Sequence, residues 1–170
     1  NTQWGNNNAY CQDNDISWHD WTLAERNADV LEFTRKTIAF TRRCTILTRR
    51  KFFLGEDLSD DGVPDIRWCG VDGGRVAWDD PELRTLCFQL DGSEAPSDLG
   101  AYRLFLILNA DWRLQDVRLP ALPDGTRWRR VIDTSLPAGE DFMDPGREVP
   151  LDPADRYMAN PRSTVVLRGI

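Results

Sequence analysis

Histidine is almost missing: one residue, His19, in a chain of 170. Cysteine is sparse, at Cys11, Cys44, Cys69 and Cys87. No two cysteines stand in C-x-x-C spacing and only His19 could join them, which speaks against a zinc site; no metal ligands are assigned. Cys44 and Cys87 lie in apolar helix and strand patterns, where a reduced buried thiol is the common state. That favours a reducing, cytoplasmic setting. No apolar run approaches the ~20 residues of a membrane span, and there is no signal-peptide core. A basic surface is lacking too, since the net charge is -7. The balance argues against nucleic acid and anionic membrane as partners and suits a soluble protein that handles a neutral polymer. There is no G-x-S-x-G and no glycine-rich phosphate cradle. No cofactor is implied.

What the chain does have is concentrated near its start. Gly5 to Trp21 holds three consecutive asparagines (Asn6, Asn7, Asn8), Gln12, the acids Asp13, Asp15 and Asp20, and the rings of Tyr10, Trp18 and Trp21. Short amides and carboxylates favour loops, because their side chains compete for nearby backbone groups. Beside flat aromatic faces they suit a carbohydrate: amides and acids bond hydroxyls, and rings cover the apolar face of a sugar. The plainer reading is a polar surface loop braced by Asx-turns and anchored by its tryptophans.

Thr22-Leu23-Ala24-Glu25 has the form of a capping box and predicts a helix from there to about Thr45. Val30, Leu31, Phe33, Thr34, Thr37, Ile38, Phe40, Thr41 and Cys44 fall within about half of its circumference. So wide an apolar face suits a helix laid on a large sheet or barrel. From Lys51 the period shortens. Phe52–Leu54, Ile66–Cys69, Leu86–Leu90, Leu104–Asn109, Gln115–Leu119, Trp128–Asp133 and Thr164–Arg168 read as strands between Asp-Gly, Gly-Gly and proline breaks. The fold class is therefore mainly β, an antiparallel β-sandwich. Tyr102 to Leu108 should be central, and Gln115 to Leu119 should expose one face. Leu136 to Pro153, with four of the ten prolines, reads as a long loop before the last strand.

The motif GNNNAYCQDN followed by D-I-S-W-x-D-W resembles the bacterial glycogen-debranching and isoamylase-type enzymes of the alpha-amylase superfamily. The resemblance continues through the arginine-rich helix, Lys51–Gly55, Asp65–Trp68, Leu104–Ala110 and Arg162–Arg168, and so covers nearly the whole chain. It implies that residues 1–50 are the last loop and helix of a catalytic (β/α)8 barrel, and that residues 51–170 are the β-sandwich that follows it. The parent would hydrolyse α-1,6-glucosidic branch links in glycogen or limit dextrin, with retention. A relative acting on α-1,4 bonds or trehalose-related substrates is the nearest alternative parent.

Glycoside hydrolysis needs two carboxylates flanking the scissile bond. The family's catalytic acids lie upstream of the segment with which this chain begins, and none of its own Asp or Glu matches them; no catalytic residue is assigned. The chain is expected to supply one wall of a substrate cleft, since barrel active sites are built from the loops that leave the strands. The candidate sugar contacts are Asn7, Asn8, Tyr10, Gln12 and Asp13. Trp4 could stack on a glucose ring, while Trp18 and Trp21 are expected to pack inward. His19 departs from the pattern, where an apolar or aromatic residue is expected. The implied partners are α-glucan and the rest of the barrel. A noncatalytic carbohydrate-binding or scaffold sandwich is the alternative, with Trp68, Trp78, Trp112 and Trp128 as possible platform rings.

Overall fold

The computed structural model describes residues 10, 12–93 and 100–170. A short helix α1 (Leu23–Arg26) leads into α2 (Ala28–Arg43), and a 3-10 turn follows at Thr45–Thr48. Among the described residues eight strands come next: β1 (Ile66–Cys69), β2 (Thr85–Asp91), β3 (Arg103–Asn109), β4 (Gln115–Arg118), β5 (Trp128–Asp133), β6 (Val149–Pro150), β7 (Arg156–Ala159) and β8 (Ser163–Gly169). Six form one antiparallel sheet in the order β1-β2-β3-β8-β5-β6, and β4 pairs with β7 in a separate ribbon.

The large sheet is buried on both sides because its central strands are apolar at both parities. On one face Cys87, Phe105, Ile107, Val165 and Leu167 meet Val117 and Ala159 of the ribbon. Trp128 joins this core and donates its indole N–H to the carbonyl of Pro120 at 2.8 Å. On the other face Leu90, Tyr102 and Leu104 pack with Cys44 and Ile46, and Val131, Ile132, Phe142 and Val166 pack with Phe33 and Phe40 of α2. The Tyr102 hydroxyl accepts the buried backbone N–H of Ile46 at 3.3 Å and so fixes the end of the helical layer. The result is three layers: α2 with the 3-10 turn, the six-stranded sheet, and the ribbon.

β3 lies between β2 and β8, as its apolar run predicts. β4 buries Val117 and exposes Asp116 and Arg118, as its alternation predicts. Four features differ from the sequence reading. The helix breaks at Asn27, and Thr22 makes no side-chain cap; its hydroxyl donates instead to Asp20 Oδ1 at 2.6 Å. Phe52–Leu54 is not a strand, because the N–H groups of Leu54 and Gly55 turn to the Asp65 carboxylate rather than to a neighbouring strand. Leu136 to Pro153 is not featureless, since it carries β6 and the bridge of Phe142 to Ile132. β7 follows it and precedes the last strand.

Only part of the apolar arc of α2 is covered. Phe33, Thr37, Phe40 and Cys44, one face at helical spacing, turn toward the sheet. Val30, Leu31 and Ile38 are exposed. Among the described residues no helix is long and apolar enough to cross a membrane.

Candidate functional site

Residues 12–22 fold by local side-chain-to-backbone bonds, as their composition dictates. Asn14 anchors the turn: its Oδ1 accepts the N–H of Ile16 at 3.0 Å, and its carbonyl accepts the N–H groups of Ser17 and Trp18. Ser17 donates its hydroxyl to the carbonyl of Gln12 at 2.6 Å. Asn14 Nδ2 donates to Gln12 Oε1 at 3.1 Å, and Trp18 Nε1 donates to Asp13 Oδ1 at 2.8 Å. Asp20 accepts both the hydroxyl and the N–H of Thr22, and the hydroxyl bond first of all holds its carboxyl below the usual range.

Of the five candidate sugar contacts, Asn7 and Asn8 lie outside the described residues, as does Trp4. Tyr10, Gln12 and Asp13 are all on the surface, Tyr10 with 81% of its area exposed. Gln12 and Asp13 share the turn with Trp18, and each spends part of its bonding capacity inside it. Trp18 and Trp21 do not pack inward; they are 59% and 78% exposed. His19 stands edge-on to Trp21, with ring centroids 4.9 Å apart, so it props an exposed indole rather than filling a core position.

The buried carboxylates elsewhere are all engaged in structure. Asp65 is nearly enclosed, and burial alone pushes its carboxyl up. The N–H groups of Leu54 and Gly55 and the Arg49 guanidinium at 3.0 Å outweigh that and hold it below the usual range. Asp133 accepts the Ser135 hydroxyl and, through its other oxygen, the Tyr157 hydroxyl at 2.6 Å. Glu148 pairs with Arg168 at 3.1 Å. Arg103 lies between Asp61 and Asp91. Each of these acids is paired, Asp61 and Asp91 through the same arginine, and the arrangement braces loops against the sheet. Among the described residues no group of three or more His, Cys, Asp or Glu is placed to hold a metal ion.

Of the four tryptophans weighed as a sugar platform, Trp128 is in the core. Trp68 and Trp78 are 42% and 61% exposed and meet edge to face at 5.7 Å, with Phe88 beneath Trp68. Trp112 is exposed between Arg84 and Arg113, whose guanidinium carbons lie 5.1 and 5.5 Å from its ring centre. Gln89 was not singled out from the sequence. A glutamine inside an otherwise apolar strand was the signal, and the structure buries it at a cavity wall.

An antiparallel β-sheet domain with an amphipathic helix on one face, preceded by a polar turn that carries Trp18 and Trp21, is the class of protein these features define. The chain belongs to the isoamylase C-terminal family, whose pattern matches residues 65–168, more than half of its length. It is 32% identical over 177 aligned residues to the glycogen operon protein GlgX homolog of Mycobacterium tuberculosis, which it matches over 98% of its own length and 24% of that protein's. It is 34% identical over 140 residues to a glycogen debranching enzyme of Klebsiella pneumoniae, covering 82% of this chain and 18% of the enzyme. An isoamylase of a Flavobacterium species is 28% identical over 137 residues, covering 79% and 17%. The chain thus spans about a quarter or less of the curated relatives it matches.

Proposed function

We propose that this chain is the C-terminal part of a cytoplasmic glycogen-debranching enzyme that hydrolyses α-1,6-glucosidic branch links in glycogen or limit dextrin. Residues 1–50 would close the catalytic barrel and carry the Asn-rich loop to one wall of the glucan cleft. Residues 51–170 would form the sandwich that steadies it. The two catalytic carboxylates would come from the preceding part of the parent.

One observation carries this reading. Tyr10, Trp18 and Trp21 in the N-terminal arm, and Val30, Leu31 and Ile38 on α2, are all exposed, although the adjoining part of the apolar arc of α2 is docked on the sheet. Large exposed apolar patches are uncommon on stable monomers. A barrel packed on the bare side of α2 would cover its aliphatic residues and leave the loop at the cleft. The family match and the names of the relatives support the glucan as substrate.

The experiment is an activity assay on branched glucan with the purified chain and the parent enzyme side by side. The parent releases reducing ends and the chain alone does not, because the carboxylate pair is elsewhere. Hydrolysis by the chain above a heat-inactivated control would overturn the proposal.

The exposed Trp68–Trp78 pair favours a second reading, a noncatalytic carbohydrate-binding sandwich. Retardation of the chain in a glycogen-containing native gel, abolished by W78A and unaffected by Y10A, would select it over the first.

A further inference from the structure

We infer that the cavity between the β1–β2 end of the sheet and the ribbon is a binding site for the phosphate monoester of a sugar. The cavity has a volume of about 320 Å³ and is bordered by Arg67, Gln89, Asp72, Gly73 and Arg118. That lies at the low end of the roughly 300–1,000 Å³ of small-ligand sites.

Gln89 is the first reason. Only 2% of it is exposed, and it sits opposite Arg67 and Phe105 on the neighbouring strands. It lines the cavity, and its amide is not among the sealed-off buried atoms, so the group opens onto that space. A polar group at a cavity wall takes its partner from whatever fills the cavity. An amide held this way inside a strand is poised for a guest that both donates and accepts, as a sugar hydroxyl does.

The arginines are the second. Arg67 and Arg118 both border the cavity, and neither forms an ion pair with a described residue. Asp72, which lines the same cavity, is already committed in part to the N–H of Gly74 at 2.9 Å. Two arginines thus border one concave surface on a chain of net charge -7. The planar fork of a guanidinium matches the oxygens of a phosphate.

The turn arranges them. Gly73 has φ +78°, a left-handed conformation that glycine alone adopts without strain. A β-carbon built there would meet the Arg118 stem at 3.7–3.8 Å. The bare turn therefore lies along that stem, and the backbone N–H of Arg118 donates to the carbonyl of Val71 at 2.7 Å. Arg118 is braced at the cavity from a strand of the ribbon and Arg67 from a strand of the sheet.

The test is a titration of the chain, followed by amide NMR, with glucose 6-phosphate, a phosphorylated maltooligosaccharide, inorganic phosphate and glucose. Saturable shifts of the Gln89 side-chain amide and of Gly73 and Gly74 are expected with the sugar phosphates. Glucose and inorganic phosphate should bind about tenfold more weakly, each lacking one set of contacts. Tighter binding of the oligosaccharide or of the monosaccharide supports the site and identifies the source of the phosphate. R67Q and R118Q, both at exposed positions, should each weaken binding about tenfold with an unchanged thermal midpoint. Inorganic phosphate binding as tightly as the sugar phosphates would overturn the sugar assignment. Absence of shifts at Gln89, or binding indifferent to both arginine variants, would overturn the site. Binding is read on this chain, where hydrolysis plays no part, so this result and that of the debranching proposal are independent.

Discussion

Cys69 on β1 and Cys87 on β2 lie directly opposite each other in the antiparallel ladder, both buried and both free thiols. Burial, the main cause, pushes the Cys87 thiol up to about 12 and raises Cys69 as well. The pair is packing material under the ribbon. Only the thiolate is a nucleophile, so burial and protonation together protect both sulfurs. At pH 8 an alkylating reagent should label Cys69 and Cys87 at least about 100-fold more slowly in the folded chain than in denaturant. Peptide-level mass spectrometry reads each cysteine separately; equal rates in both conditions would mean that the ribbon does not cover them.

The same shift sets an alkaline limit. A thiol whose folded pKa exceeds its unfolded value contributes stability that is intact below the unfolded value and is lost as pH rises beyond it. Cys87 gives a window from the ordinary 9.0 to about 12. Tyr157 acts in the same direction, because burial and then its bond to Asp133 raise its hydroxyl. Denaturant midpoints should therefore fall between pH 9 and 11, and C87A should shallow the slope. A flat midpoint across that range would contradict the burial of both groups.

Two ion pairs should differ sharply. Glu148 and Arg168 pair at 3.1 Å with side chains 5% and 9% exposed. Asp116 and Arg156 pair at 2.8 Å with side chains 48% and 46% exposed. E148A leaves a buried guanidinium without its carboxylate and should cost about 3 kcal/mol. D116A should cost less than about 1 kcal/mol. Urea unfolding of the two variants measures both.

Phe142 ties the helical layer to the sheet. Its ring stands edge-on to Phe33 and Phe40 at 5.7 and 6.1 Å and packs with Val166. F142A should cost about 3–5 kcal/mol. Hydrogen exchange should show α2 losing protection while β3 and β8 keep theirs. Uniform loss across all elements would mean that helix and sheet unfold as one unit.

The parts of the fold that the sequence discloses are those decided by burial. β3 is legible because Leu104 to Leu108 is apolar at both parities, and β4 because Val117 alternates with charge. The elements that escape it are those decided by single polar bonds. Thr22 has the right spacing for a cap, but Asp20 two residues earlier takes its hydroxyl. Phe52–Leu54 has strand composition, yet Asp65 captures the backbone donors. β7 is short and charged at its start, and only Tyr157 and Ala159 turn inward. In the candidate site, the composition of the Gly5–Trp21 segment announces a polar turn beside rings, and residues 12–22 form one. The exposure of Trp18 and Trp21 is not legible, because an indole next to a helix start reads by its position as an anchor.

The account turns on whether the N-terminal loop serves the glucan, and the most direct measurement is kcat/KM of the parent enzyme on branched glucan with N8A and Y10A, read beside the thermal midpoint. Loss of a hydroxyl contact costs about 1–3 kcal/mol, so each variant should lower kcat/KM by roughly tenfold or more. The midpoint should move by less than about 1 °C, since Tyr10 is exposed and contributes little burial. Full activity with several degrees of lost stability would show that the loop is a structural brace, and would contradict the central claim.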